Sequence, residues 1–357
     1  MRRVAILCNY KLIPDRIGGM DYFFKAYNEA LLDLNYKVDW FFSTGEQHEF
    51  YKTMPLKIAN SDTVEAFFYD KTRETDVTYD FIITHFVELC TKWFKRVKSR
   101  FPDSKIIAVD HNPRPLNGFG YSKQIKKKIK GVLYSRYTDL FVGVSRYSKD
   151  QLIMDFGRHI KQKCKIIHNG IDTKKFVVNS KKNNSENFNF LVSSHLRKEK
   201  AINDLIEAIN LLDENNKSKI RVDVYGEGPA FNSLQKLIEK FDLTSMIIFK
   251  GSVSNLEKIY NKYDYLIHPS KGETFCFSVV ESLVCKTPVI TTKNAGNVLG
   301  LVKDSINGYL FEEGNYNQLK NIIENLVVKK LRLNVEDDFD DKFSIDTMVK
   351  NHIKYLE

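Results

Sequence analysis

The sequence predicts an α/β protein built from two doubly wound, Rossmann-like parallel-sheet domains. Three observations carry this. Short apolar runs alternate with helical stretches, the pattern of parallel strands joined by crossover helices. The plan occurs once in each half of the chain. The length, 357 residues, suits two domains at roughly 100–200 residues each.

In the first half VAILCN, VDWFFS, VEAFFY, DFIITH, KIIAVD and DLFVGV are strand-like, and DYFFKAYNEALLDLN and CTKWFKRVKSRF are helical. In the second, FNFLVS, IRVDVY, MIIFKG, DYLIHP and PVITT are strands, with AINDLIEAINLLDEN and FNSLQKLIEKFD as helices. The polar stretch 174–189 is the candidate linker. Ligands in open parallel sheets bind beyond the carboxyl ends of the strands, so the residues just after each strand, facing a cleft between the domains, are where chemistry is expected.

Composition narrows the class. Cys8, Cys90, Cys164, Cys276 and Cys285 form no CxxC pair, which suits buried thiols in a reducing compartment. RRVAILCNY is of strand length and no apolar run approaches the ~18 residues of a membrane span. The net charge is +10, and residues 1–165 hold 29 of the 55 basic and 19 of the 45 acidic residues, leaving 26 of each beyond. Such asymmetry points to a polyanionic partner of the first half, a membrane or nucleic acid. The densest part, residues 122–136, reads as a helix with Ile125, Ile129, Val132 and Leu133 on one face and lysines on the other. That pattern suits a helix on an anionic lipid surface; the plainer reading is a solvated helix with one face on the core.

Gly18 and Gly19 follow the first strand and open a helix, where backbone N–H groups suit an anionic oxygen; a simple turn is equally expected. His85 and His111 fall at strand ends, His111 between Asp110 and Asn112 and before two prolines, positions from which an imidazole can serve a sugar hydroxyl or a developing charge. In the second half His195, Arg197 and Lys200 precede or open a helix, a poor place for cations unless they hold an anion jointly with the helix start. Gly226-Glu227-Gly228-Pro229 reads as a strand-to-helix turn. Glu273 and Glu281 stand with seven residues between them, and Ser278-Val279-Val280-Glu281 fits a capping box.

Taken in order, HNGID (168–172), LRKEKAINDLIEAI, GEGP, FKGSVSNLEKIYNKYDYLIHPS, the Glu-x7-Glu segment, TPVITTKNAG and NGYLF resemble the C-terminal domain of family 4 glycosyltransferases, retaining enzymes of the GT-B fold that use nucleotide sugars. GGM (18–20), VDHNP and VGVSRYSKD agree more loosely with the N-terminal domain. The resemblance implies domains at 1–172 and 173–343, with a C-terminal helix, 344–357, packing back on the first. It implies that Glu273 contacts the donor sugar, that Glu281 binds the nucleotide ribose, and that Thr274, Phe275, Cys276, Phe277 and Ser278 meet sugar and phosphate. Lys200 matches the lysine of a basic pair that clamps the diphosphate. His195 stands at the arginine position, with Arg197 placed to supply the missing charge, and Ala201 stands at the following glycine. Thr274 and Cys276 stand where the family has glycines. Gly18, Gly19, Gly226 and Glu227 belong to the donor side, His111 stabilises the transferring sugar, and His85 and Asn112 lie on the acceptor side.

The function implied is sugar transfer with retention from a nucleoside diphosphate sugar, a UDP-sugar first, to a glycan acceptor, lipid-linked, in bacterial surface polysaccharide or lipopolysaccharide synthesis. The enzyme would work in the cytoplasm, peripheral on the inner face of the plasma membrane, with no cofactor, no metal and no nucleic acid. Two other readings stand beside it: a GT-B enzyme glycosylating nucleic acid, and a non-catalytic nucleotide-sugar binder.

Overall fold

In the computed structural model the chain divides into two units, Met1–Ile171 with Phe343–Glu357, and Asp172–Lys342. The structure describes residues 1–14, 17–60, 63–73, 75–178, 185–253 and 255–357. Of the candidate linker, 179–184 lies outside them, and Phe188 and Asn189 already belong to a strand.

The strands of the first unit are β1 (Arg3–Leu12), β2 (Lys37–Gly45), β3 (Leu56–Ile58), β4 (Phe81–His85), β5 (Lys105–Asp110), β6 (Leu140–Gly143) and β7 (Cys164–Ile166). They form one parallel sheet in the order β3-β2-β1-β4-β5-β6-β7. Its helices are α1 (Gly19–Asp33), α2 (Val64–Arg73), α3 (Lys92–Arg100), α4 (Tyr121–Tyr134) and α5 (Arg146–Phe156). In the second unit β8 (Phe188–Ser193), β9 (Ile220–Tyr225), β10 (Ile247–Gly251), β11 (Tyr265–His268), β12 (Val289–Thr292) and β13 (Gly308–Phe311) pair in parallel as β10-β9-β8-β11-β12-β13. Its helices are α6 (Ile202–Asn210), α7 (Glu214–Lys217), α8 (Phe231–Lys240), α9 (Phe277–Val284) and α10 (Tyr316–Lys329); α11 (Asp340–Phe343) and α12 (Ile345–Ile353) follow. This is the GT-B architecture of two Rossmann-like sheets.

Strand order reverses between β1 and β4 and between β8 and β11, the switch points at which open sheets bind ligands. Of the strands there, β4 (FIITH) and β11 (YLIH) are buried throughout, because helices cover both faces. Leu205, Ile206 and Ile209 of α6 pack with Val222, Ile267 and Ile290 in one core; Phe68, Trp93 and Phe94 pack with Ile82 and Ile106 in the other.

Several elements depart from the sequence reading. VEAFFY is helical, not a strand. Val64, Phe68 and Thr72 are its buried positions, a four-residue spacing that puts one stripe on the core, whereas apolar density alone suggested alternation. The three-residue strands β3 and β7 and the four-residue β13 are too short to show a period. Helix α4 is turned the other way from an ordinary core helix. Ile125, Ile129, Val132 and Leu133 are all exposed, while Gly131 is the buried residue of the helix, since a Cβ there would lie 2.0 Å from the Phe156 carbonyl oxygen of α5. The apolar face therefore does not rest on the core. Among the described residues no helix is long and apolar enough to cross a membrane, and all five cysteines are free and buried.

Candidate active site

The second unit brings two of the predicted segments together at its switch point. The 3₁₀ turn Lys198–Lys200 follows β8, and the loop carrying Glu273 follows β11. The Lys271 N–H donates to the Glu199 carbonyl (2.8 Å), and its ammonium reaches buried Asp204 of α6 (2.8 Å). Lys200 then pairs directly with the Glu273 carboxylate. A second cation, which the sequence reading missed, completes the arrangement. His268, the last residue of β11, is buried, and its Nε2 lies 2.9 Å from Glu273 Oε1 and 3.2 Å from the Cys276 sulfur; Nδ1 is 3.5 Å from the Ser278 hydroxyl.

These neighbours decide the charge states. Burial pushes His268 down, but Cys276 and the Glu273 carboxylate push it up and prevail, to about 9. Burial alone would raise Glu273; His268 and Lys200 bring it to about 2. At neutral pH the cluster is therefore an anion held between two cations. His268, Glu273 and Cys276 offer ligand atoms all within 4.8 Å of one another, and in this structure His268 Nε2 contacts both Glu273 Oε1 and the Cys276 sulfur while the Lys200 ammonium shares Oε1.

Beyond Glu273 the chain enters α9. Cys276 takes the N-cap position with φ 69°, and no side chain caps the helix. The capping-box expectation is thus corrected: Ser278 lies inside the first turn, and Glu281, a turn further on, accepts from the buried Tyr260 hydroxyl at 2.6 Å instead. Burial raises the Glu281 carboxyl, the Tyr260 bond works against this, and Glu257 adds to it. The uncapped first-turn N–H groups of α9 remain open to an anionic oxygen. Ala201 and Cys276, two of the positions where the resembled family has glycine, both keep left-handed backbone, with φ 50° and 69°, at a cost of about 1–2 kcal/mol each for a residue bearing a Cβ.

The other predicted residues are placed as follows. His195 and Arg197 are exposed, and Arg197 lies 3.8 Å from Glu199 rather than at Glu273. Gly226 closes the loop after β9 against the Ser194 carbonyl, 2.0 Å from where a Cβ would sit, and the Glu227 carbonyl accepts from the Leu196 N–H at 2.9 Å. Thr274 is half-buried, and the Phe275 and Phe277 rings pack 4.9 Å apart.

In the first unit His85 and His111 do meet: His85 Nδ1 lies 3.0 Å from His111 Nε2, and the His111 ring stacks on Phe86 at 4.3 Å. His352 of α12 joins them, its ring 5.8 Å from that of His85. Burial holds His85 well below the ordinary range, His111 at about 3 with a contribution from His352, and His352 at about 3. Asn112 donates its N–H to Asp110 (3.2 Å). Gly18 precedes α1, but its N–H already donates to Asp21 (2.8 Å), which also accepts from the Tyr10 and Tyr51 hydroxyls. A carboxylate thus occupies that helix start, unlike the start of α9.

Residues 173–338 match the family described as Glycosyl transferases group 1. The matched residues make up just under half of the chain and lie within the second unit. The chain is 28% identical over 242 residues to an uncharacterised glycosyltransferase of Methanocaldococcus jannaschii, covering 65% of this chain and 64% of that protein. It is 27% identical over 128 residues to the poly(ribitol-phosphate) alpha-N-acetylglucosaminyltransferase of Staphylococcus aureus, covering 36% and 26%. The chain thus spans less than two thirds of the length of these curated relatives. Among solved structures, Anabaena HepE in complex with UDP superposes with a TM-score of 0.75 at 18% identity, over 100% of this chain and 99% of that one. The Glu273–Lys200 cluster, Glu281 and α9 all fall within the residues that match this family.

Proposed function

We propose that this protein is a retaining glycosyltransferase of family 4 that transfers a sugar from a nucleoside diphosphate sugar, a UDP-sugar, to a glycan acceptor. The observation that carries the reading is the Lys200–Glu273–His268 cluster beside the uncapped start of α9. Glu273 accepts hydroxyls of the donor sugar, Glu281 those of the ribose, and Lys200 with the α9 N–H groups takes the diphosphate. As the glycosidic bond to the diphosphate breaks, charge grows on the leaving oxygens, where fixed cations and dipoles act most strongly. No carboxylate other than the already committed Glu273 stands in the cluster as a nucleophile, so attack on the same face, assisted by the leaving phosphate, accounts best for retention. His111 is assigned to stabilise the transferring sugar.

The acceptor is assigned to surface polysaccharide or lipopolysaccharide synthesis on a lipid carrier; the Staphylococcus aureus relative's poly(ribitol-phosphate) acceptor supports a surface polymer. Helix α4 supports a membrane contact, because its exposed Tyr121, Ile125, Ile129, Val132 and Leu133 form an apolar face with Lys126 and Lys128 at its borders.

A thermal-shift series over nucleotide sugars tests the donor assignment, since a ligand at 100 times its Kd adds about 2.7 kcal/mol. Stabilisation by a UDP-sugar is expected, followed by a product whose anomeric NMR coupling matches the donor. No stabilisation by any nucleotide sugar, or an inverted anomer, overturns the reading. For the membrane, replacing Lys126 and Lys128 by glutamine should remove about 2 kcal/mol of affinity for anionic liposomes, at ~1 kcal/mol per lysine. Unchanged flotation refutes that contact.

A further inference from the structure

The face of α4 opposite its apolar residues lines a cavity of about 310 Å³ in the first unit. The cavity lies beyond the carboxyl ends of the central strands: Asn9 of β1, Phe86 just after β4, and Asp110 and Asn112 at the end of β5 all line it. Lys123, Lys127 and Lys130 of α4 join them, with Arg114 and the rings of Phe119 and Phe156. At positions i, i+4 and i+7 the three lysines share one helical stripe. Like charges so spaced destabilise a helix, so the stripe calls for a counter-charge.

The protein supplies only part of it. Buried Asp110 and Asp155 hold Arg114, at 2.8 and 2.9 Å, and Asp155 also holds Lys127 at 2.9 Å. This is a balanced, fixed group of two cations and two carboxylates at the cavity wall. Lys130 pairs with Glu88 at 2.6 Å, but the Glu88 side chain is 70% exposed, and a pair of that kind contributes only ~0–1 kcal/mol. Lys123 has no carboxylate within ion-pair distance among the described residues; its ammonium lies 4.5 Å from the Phe119 ring centre. One lysine therefore lacks an ionic partner, and a second holds a partner that is easily displaced.

We propose that this cavity binds an anionic group, a phosphate or a carboxylate, carried by the acceptor, with Lys123 and Lys130 as its principal cations and Phe119 as an apolar wall against a sugar ring. Glu88 serves as the stand-in anion that the acceptor displaces. The proposal rests on the glycosyltransferase reading for the word acceptor, but the anion site is defined by the first unit alone. It also reassigns the lysines. Those on the inner stripe of α4 serve the cavity, Lys130 at its edge also touching the apolar face beside Ile129 and Leu133, while Lys126 and Lys128 lie outside the cavity.

Calorimetric titration of the full chain at low ionic strength tests this with paired probes, glycerol 1-phosphate against glycerol and glucuronate against glucose. The charged member of at least one pair should bind ~10-fold or more tightly than its neutral partner, and the preference should fade as salt is added. Whichever pair shows the larger ratio tells phosphate from carboxylate. The double variant Lys123→Gln, Lys130→Gln should erase the preference, and Glu88→Gln should tighten the charged probe several-fold while leaving the neutral one unchanged. Equal affinities within both pairs, a preference that survives the double variant, or a Glu88→Gln variant no tighter than wild type would each overturn the proposal. UDP binding to the same samples keeps the two readings apart and reports that the variants are folded. Bound UDP with no anion preference sinks the cavity proposal alone, whereas an anion preference without UDP binding leaves the cavity standing and sinks the donor reading.

Discussion

Each unit buries histidine at the carboxyl ends of its central strands, His85 and His111 in the first and His268 in the second, and the two sites end in opposite charge states. His85, His111 and His352 in the first unit are buried mainly among aromatic rings and one another. Burial disfavours the charged form and nothing opposes it, so they are neutral. His268 in the second unit is as deeply buried, yet a carboxylate at 2.9 Å reverses the outcome. Depth does not set the charge; the nearest partner does. The helix starts repeat the contrast, since α1 is closed by Asp21 and α9 is left uncapped.

The largest expected effect comes from removing the carboxylate that makes the difference. Glu273 is depressed to about 2 from 4.5, so the stability it contributes is present above pH 4.5 and lost as pH falls toward 2. His268 is raised to about 9 from 6.5, so its contribution is complete below pH 6.5 and lost as pH rises through 9. The pair therefore stabilises most between about pH 4.5 and 6.5, by something of order 3 kcal/mol, counted once because the two shifts share one interaction. Denaturant unfolding of Glu273→Gln should show most of that loss at pH 5.5 and little of it at pH 2.5. A constant difference at both values would show that the cluster is merely packed.

Next is Lys200→Ala. Its ammonium is assigned to a diphosphate that gains charge in the transition state, so kcat/KM should drop at least ~100-fold, about 2.7 kcal/mol. Arg197→Ala serves as the control. Its exposed guanidinium does not reach Glu273, and a loss as large as that of Lys200→Ala would return it to the role the sequence suggested.

Much of the architecture was legible because parallel, fully buried strands leave dense apolar runs and because the crossover helices carry a clear period. The failures have physical causes. At VEAFFY five apolar or aromatic residues among six hide the four-residue spacing. Ser278 and Glu281 satisfied a capping pattern by spacing, but the chain makes its left-handed turn at Cys276, one residue before the helix, and no sequence rule favours cysteine there. Lys200 and Glu273 could each be picked out, while their pairing depends on β8 and β11 being neighbours. His268 went unnoticed because it closes an apolar strand, although the same position had drawn attention to His85. The inward turn of the lysine stripe on α4 could not be read at all: an amphipathic pattern says that two faces differ, not which one meets the sheet.

A smaller effect should follow from Glu281→Ala. With the cap reading withdrawn, the stability at stake is the Tyr260 hydrogen bond at 2.6 Å, about 1–2 kcal/mol including the hydroxyl left buried. Tyr260→Phe should lose a similar amount. The two variants part company in kinetics: Glu281→Ala should raise the donor KM through the lost ribose contact, and Tyr260→Phe should leave it nearly unchanged. Equal KM values would confine Glu281 to holding α9.

The smallest expected effect is no effect, and it tests the comparison most directly. Histidine ring-proton NMR from pH 5 to 10 should show one buried histidine, His268, titrating near 9, while His85, His111 and His352 stay fixed in shift across the whole range, because burial holds His85 well below the ordinary imidazole range and His111 and His352 at about 3. Single His→Gln variants assign the signals. In Glu273→Gln the His268 titration should move down, since the carboxylate that holds its proton is gone, although Cys276 continues to favour the charged ring. The three histidines of the first unit should not respond to that change. If any of them titrated between pH 5 and 8, the first unit would hold a pH-dependent charge beside His111, and its assigned role as a neutral group next to the transferring sugar would have to be abandoned.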